Sequence, residues 1–151
     1  MYAKAGKLDA VVAATGHTHF GPLTEMTPAH FRSGLLDKVM GQVSLVLLGI
    51  PHVNDGGSFT LTSGILSRDQ IRQGANAAAV DAALDGFVAA AAIEMPRGLR
   101  INAVSPGLLA ESAQAYDGFF PGHGPVSSAR VGLAYVKSVE GALTGKVFCV
   151  D

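Results

Sequence analysis

Four short apolar runs constrain this chain more than any other feature. They are Leu8 to Thr15, Ser58 to Thr62, Leu99 to Val104 and Lys146 to Val150. Each is rich in Val, Ile, Leu or Phe, and three end near Gly or Pro, which marks them as buried strands. Runs that are continuous rather than alternating imply strands covered on both faces, as in a parallel sheet. Parallel neighbours need crossover helices, and helical patterns lie between the runs. Thr27-Pro28 reads as an N-cap followed by Pro at the first helical position. The helix it opens is expected from about Pro28 to Ile50, with Leu35, Leu36, Val39, Val43, Val46 and Leu47 on one apolar face. A second helix fits the Ala-rich segment Ala75 to Glu94, stopped by Pro96-Arg97-Gly98, and a third fits Ser127 to Val139. The alternation predicts one α/β domain over residues 1–151, a doubly wound parallel sheet of about four strands. Residues 108–125 carry Gly118, Pro121, Gly122, Gly124 and Pro125 and are expected to form a substrate-side lid.

Composition narrows the function classes. The chain has 151 residues, of which 48% are hydrophobic and 15% charged. That excludes a disordered chain. Lys+Arg number 11 against 12 Asp+Glu, so there is no basic excess to neutralise phosphates, and neither nucleic acid nor membrane is an expected partner. The single cysteine, Cys149, excludes a disulfide framework within the chain and fits a cytoplasmic location. Lying in an apolar run, it is expected to be a buried, inert thiol. The first eight residues lack the apolar core of a signal peptide. The most apolar stretch, Val43 to Val53, is interrupted by Gly49 and Pro51 and is too short to span a bilayer.

Several segments, in a fixed order, resemble the short-chain dehydrogenase/reductase family. Leu8-Asp9-Ala10-Val11-Val12-Ala13-Ala14-Thr15-Gly16 is similar to that family's fourth strand and its Asn-Asn-Ala-Gly motif, with Ala13, Ala14 and Thr15 replacing the first three motif residues. Gly57-Ser58-Phe59-Thr60-Leu61-Thr62-Ser63-Gly64 resembles the fifth strand, which ends in the catalytic Ser at Ser63. The run from Pro96 to Gly107 is similar to the sixth strand and the Pro-Gly turn facing the nicotinamide. Leu143 to Asp151 resembles the last strand. The resemblance implies a Rossmann-like fold and hydride transfer between NADP or NAD and a small carbonyl or alcohol. It assigns cofactor contacts to Thr15, Gly16, Pro106, Gly107 and Leu108. It also implies a homo-oligomer formed through helices 28–50 and 75–94.

The family's Tyr-x-x-x-Lys pair is absent. The tyrosines are Tyr2, Tyr116 and Tyr135, and none has Lys four positions later. Aligning Ala82-Ala83-Leu84 on the family's pattern puts Ala77 at the Tyr position and Asp81 at the Lys position. Aligning Val39-Met40-Gly41 in the same way puts Lys38 where the family's helix carries Asn. Lys38 and Asp81 are therefore expected to pair, and with Ser63 they form the candidate catalytic set, Lys38 serving as proton donor or oxyanion stabiliser. The Gly-rich phosphate loop and the family's first three strands are not among these residues. Two expectations follow: that the chain is a fragment, or that the edge Leu8 to Thr15 is covered by another chain. The alternative functions are a catalytically degenerate homologue acting as an oligomerisation or binding module, and a truncation of a larger reductase. His17-x-His19 supplies two nitrogens with no third ligand nearby, so no metal site is expected. His123, between glycines, is expected to be a loop residue.

Overall fold

The structure is a computed structural model that describes residues 2–151. Four strands, β1 (Leu8–Val12), β2 (Val53–Thr62), β3 (Arg100–Pro106) and β4 (Val147–Val150), pair in parallel in the order β1-β2-β3-β4. A short helix, α1 (Tyr2–Ala5), precedes β1. Between β1 and β2 the chain runs through α2 (Pro28–Gly34), a π-helical stretch (Leu35–Met40) and α3 (Gly41–Gly49). α4 (Ala75–Glu94) joins β2 to β3, and α5 (Ser128–Glu140) joins β3 to β4. This is the Rossmann-like α/β architecture expected from the rhythm of the sequence.

Residue alternation in the strands divides the interior. Phe59 and Leu61 of β2, with Ile101 and Ala103 of β3, pack with Val46, Leu84 and Val88 of α3 and α4. Val104 and Val150 face the other way, onto Val131 and Ala134 of α5. On that second face Thr60 and Ser138 share a 2.6 Å hydrogen bond between hydroxyls, and Thr62 and Tyr135 share another. Asn102 Nδ2 donates to the Leu143 carbonyl, so this side of the sheet is held partly by satisfied polar pairs.

Strand limits differ from the expected ones. β1 ends at Val12, although Ala13 N–H still donates to the Thr60 carbonyl. β2 starts five residues early, because a bulge between the Leu8–Val53 and Ala10–Ser58 pairings absorbs extra residues. Gly56 allows it, with φ +76.

The expected single helix from Pro28 is capped as anticipated. Thr27 Oγ1 accepts from His30 N–H, and His30 Nδ1 accepts from Thr27 N–H. Its interior is not uniform. Leu35 N–H donates to the Arg32 carbonyl, and the Phe31 carbonyl accepts instead from Asn76 Nδ2 at 2.9 Å. Asn76, buried on α4, thus takes the place of a helical N–H and opens the π-helical stretch. Gly34 makes room, since a Cβ there would overlap the Asn76 amide.

Two readings are corrected here. Leu36 and Leu47, expected on the inward face, are 60% and 58% exposed. The π-helical stretch between them breaks the regular spacing that placed both on one face. Cys149, expected buried, is exposed: β4 is an edge strand, and its residues on the α5 side are Phe148 and Val150. The apolar helical runs are also longer than the sequence reading allowed. Pro28–His52 and Ala75–Glu94 are each long and apolar enough to cross a bilayer by length and composition. Here both lay one side on the sheet.

Candidate functional site

In a parallel sheet the strand ends carry backbone groups that the ladder no longer pairs, and the crossover chains diverge there to leave a crevice. Gln42, fully buried on α3, bonds to the backbone at this end. Its Nε2 donates to the Thr15 and Thr62 carbonyls at 3.2 and 2.9 Å, and its Oε1 accepts from Thr62 N–H at 2.8 Å. One side chain thereby ties α3 to the ends of β1 and β2. The sequence signal for it was a lone amide inside an apolar run.

Above these ends lies a cavity of about 340 Å³. Lys38, Ser63, Asp81 and Ala77 all line it, so the structure brings together the three catalytic candidates and the position where the resemblance placed Tyr. Lys38 Nζ lies 2.6 Å from Asp81 Oδ1 and 3.0 Å from the Ser63 carbonyl. The Lys38 and Asp81 side chains are only 14% and 5% exposed. Burial pushes the Asp81 carboxyl above the usual carboxylate range, and the Lys38 ammonium offsets part of that rise. Asp85, one turn further along α4, adds to the rise. Ser63 is buried, and its Oγ has no hydrogen-bond partner in the protein. Its peptide N–H donates to the Val104 carbonyl, which fixes the backbone while the hydroxyl stays uncommitted.

Two glycines keep this arrangement tight. Gly16, at φ +110, presses on the π-helical stretch: a Cβ on it would lie 2.5 Å from Lys38 Cα. Gly64 does the same for the acid, where a Cβ would lie 2.6 Å from Asp81 Oδ2.

Of the five expected cofactor contacts, Gly16, Pro106, Gly107 and Leu108 line the cavity. Thr15 does not; it is exposed, and its carbonyl is engaged by Gln42. The Ser63 hydroxyl lies beside the Lys38–Asp81 pair, with Gly16, Gly64, Pro106 and Gly107 on the rim, so the cavity sets a few polar groups among small and apolar ones.

The segment expected to be a lid contains a 3₁₀ helix (Ala110–Tyr116) and is anchored at both ends. Ala110 N–H donates to the Val126 carbonyl, and Val126 N–H to that of Leu108. Glu111 accepts from the Ser128 hydroxyl at 2.6 Å and from its N–H, which hold the carboxyl below its usual range. Tyr116 and Phe120 of this segment, with Phe20 from the loop after β1, form one wall of the cavity. Phe20 was not singled out from the sequence; only its position after β1, between His19 and Gly21, hinted at it. The two histidines of His17-x-His19 diverge. His17 lines the cavity and its N–H donates to Asp37, whereas the His19 ring stacks on His30. Among the described residues no group of three or more His, Cys, Asp or Glu gathers as metal ligands. His123 lies in the expected loop, with Nε2 3.2 Å from Asp69 Oδ2.

Comparison with known proteins points the same way. The sequence profile of the enoyl-(acyl carrier protein) reductase family matches residues 1–128. An uncharacterised oxidoreductase of Methylorubrum extorquens is 29% identical over 103 residues, which cover 68% of this chain and 42% of that protein. The chain thus matches less than half the length of that curated relative. The crystal structure of a Listeria innocua protein superposes with a TM-score of 0.98 at 52% identity, covering 100% of this chain and 76% of that one. A small-chain dehydrogenase crystallised in complex with NADPH gives a TM-score of 0.87 at 25% identity, covering 99% of this chain and 75% of its own.

Proposed function

This chain belongs to the short-chain dehydrogenase/reductase family, and we propose that it serves NADP- or NAD-linked hydride transfer on a carbonyl or alcohol, with Lys38 in the role of the missing tyrosine. The observation that carries this reading is the Lys38 ammonium held between Asp81 Oδ1 and the Ser63 carbonyl inside the strand-end cavity, next to Ala77. The NADPH complex of a similar protein supports the choice of cofactor. Gly16, Pro106, Gly107 and Leu108 would hold the nicotinamide end. When bound, that group would supply a hydride to a carbonyl carbon or accept one from an alcohol carbon.

The chain's own residues handle the oxygen. Ser63 Oγ, free of internal partners, donates a hydrogen bond to the carbonyl oxygen. Lys38 donates its proton as negative charge develops there, and regains one from solvent after the alcohol leaves. Asp81 touches no reacting atom in this scheme. It fixes the Lys38 head group and balances its charge, so that a cation is retained at a site with little solvent.

We place a homodimer contact on the outer side of α3 and α4. Val46, Leu47, Ile50, Phe87, Ala90 and Ala91 border an apolar groove there, and Leu48 and Ile93 are 68% and 86% exposed nearby. Small residues on α4 let a second helix approach closely. An exposed lone thiol, Cys149, suits the reducing cytoplasm.

A second reading rests on the same substitutions. With Ala77 and Asp81 at the Tyr and Lys positions, the chain serves as a binding or oligomerisation module without turnover. Calorimetric titration of the folded chain with NADPH and NADH separates the two. Binding, followed by cofactor oxidation with carbonyl substrates that Lys38→Met abolishes, supports the first. A folded sample that binds neither leaves the second.

A further inference from the structure

The cavity has a charged end and an aromatic end, and they differ in what they accept. At the charged end Lys38 is the only Lys or Arg among the described lining residues, and Asp81 already neutralises it. Arg68, which also acts on Asp81, is outside the lining and is held by Ser105 and Asp151. A carboxylate or phosphate on a ligand would therefore find each nearby Lys or Arg already paired, and would meet Asp81 and Asp85 as well. At the other end three aromatic rings converge from two separate chain segments. Phe20 and Tyr116 have centroids 5.8 Å apart at 59°, and Tyr116 and Phe120 are 6.0 Å apart at 89°. Ile65 and Leu66 continue this wall from the segment after β2. Rings set edge to face in this way leave faces and edges for a further ring, at separations where such pairs gain more than area burial alone. Ala77 leaves the passage between the two ends unblocked by a large side chain.

We propose that the cavity recognises an uncharged aryl ketone or aldehyde, with the ring against Phe20, Tyr116 and Phe120 and the carbonyl oxygen toward Ser63 and Lys38. This rests on the proposed function only for the orientation of the carbonyl; recognition of a neutral aromatic ring stands on the wall itself.

The test is direct binding to the full chain, by calorimetry, of acetophenone, 2-octanone and benzoylformate, each with and without NADPH. Acetophenone is expected to bind about tenfold more tightly than either of the others. Phe120→Leu, which keeps an apolar side chain and removes the ring, is expected to weaken acetophenone about fivefold while leaving 2-octanone unchanged. Equal or tighter binding of 2-octanone or benzoylformate overturns the proposal, as does failure of all three to bind a chain that circular dichroism shows to be folded. Acetophenone binding without NADPH-dependent reduction would sink the hydride-transfer reading and leave this one standing. NADPH-linked reduction of 2-octanone in preference to acetophenone would do the reverse.

Discussion

Lys38 Nζ and Asp81 Oδ1 are 2.6 Å apart, although one residue belongs to the π-helical stretch and the other to α4. A buried pair of this kind costs more to break than it contributes intact, because each partner alone is a buried charge. Lys38→Met and Asp81→Asn are each expected to lower unfolding stability by about 3 kcal/mol. The double variant should lose at least about 1 kcal/mol less than the two single losses together. Urea denaturation of all four proteins completes the cycle, and strict additivity would show that the charges do not depend on one another.

The same pair sets a pH dependence. Burial raises the folded-state pKa of Asp81 above its unfolded value. Protonated Asp81 therefore favours the folded chain at low pH, and that contribution is lost as pH rises through the raised pKa. Asp81→Asn has no such term. Its stability penalty relative to the native protein is thus expected to shrink as pH climbs from the ordinary aspartate range into the window just above it. Denaturation midpoints measured across that window check the sign; a penalty that grows would mean that pairing with Lys38 outweighs burial.

Gly16→Ala tests how closely the loop after β1 is set against the π-helical stretch. The new Cβ would meet Lys38 Cα, which is backbone and cannot swing aside, at a φ that L-residues rarely adopt. A loss of about 2–3 kcal/mol is expected. Weaker Lys38–Asp81 coupling should accompany it, because the Lys38 backbone must shift. Gly118→Ala, where φ is also positive but no atom lies within 4 Å, separates backbone strain from contact.

The pattern of strands and helices was legible because burial on both faces leaves a strong mark: Phe59, Leu61, Ile101 and Val104 are all essentially inaccessible. The convergence of Lys38, Ser63 and Asp81 was legible from their registers on known motifs, since each departure from the pattern fell on a position that the fold brings to one crevice. The π-helical stretch was not. It depends on a hydrogen bond between residues 45 positions apart, Phe31 and Asn76, and no local spacing encodes that. Gln42 escaped notice for a similar reason. Its value lies in three bonds to two strand ends, and in sequence it reads, like nearby Ser44, as a polar residue in a mostly apolar helix. Cys149 was misplaced because an apolar run gives no sign of lying at a sheet edge.

The dimer contact is testable without touching the cavity. Leu47 is 58% exposed beside the groove of α3 and α4, so Leu47→Asp removes no core packing. The variant is expected to remain folded and to run as a monomer by light scattering at concentrations where the native chain is a dimer. A native chain that is monomeric throughout would remove the contact from the proposal.

Glu111 connects the lid to helix α5, and its titration should report on the aromatic wall. The Ser128 hydroxyl first, then backbone N–H groups, hold its carboxyl below the usual glutamate range. A depressed folded-state pKa means that the tether's contribution is complete above the unfolded pKa and disappears as pH falls through the folded one. Below that point the Ala110–Tyr116 turn should loosen at its tethered end, carrying Tyr116 with it. Amide exchange at Ala110 and Val126, whose N–H groups close the base of the lid, is expected to accelerate on acidification after correction for intrinsic rates. Glu111→Ala should show the faster exchange already at neutral pH and no further acid step. If the native and variant proteins exchange alike at neutral pH, the lid is held by its aromatic packing instead, and Glu111 is a surface hydrogen bond without consequence for the cavity.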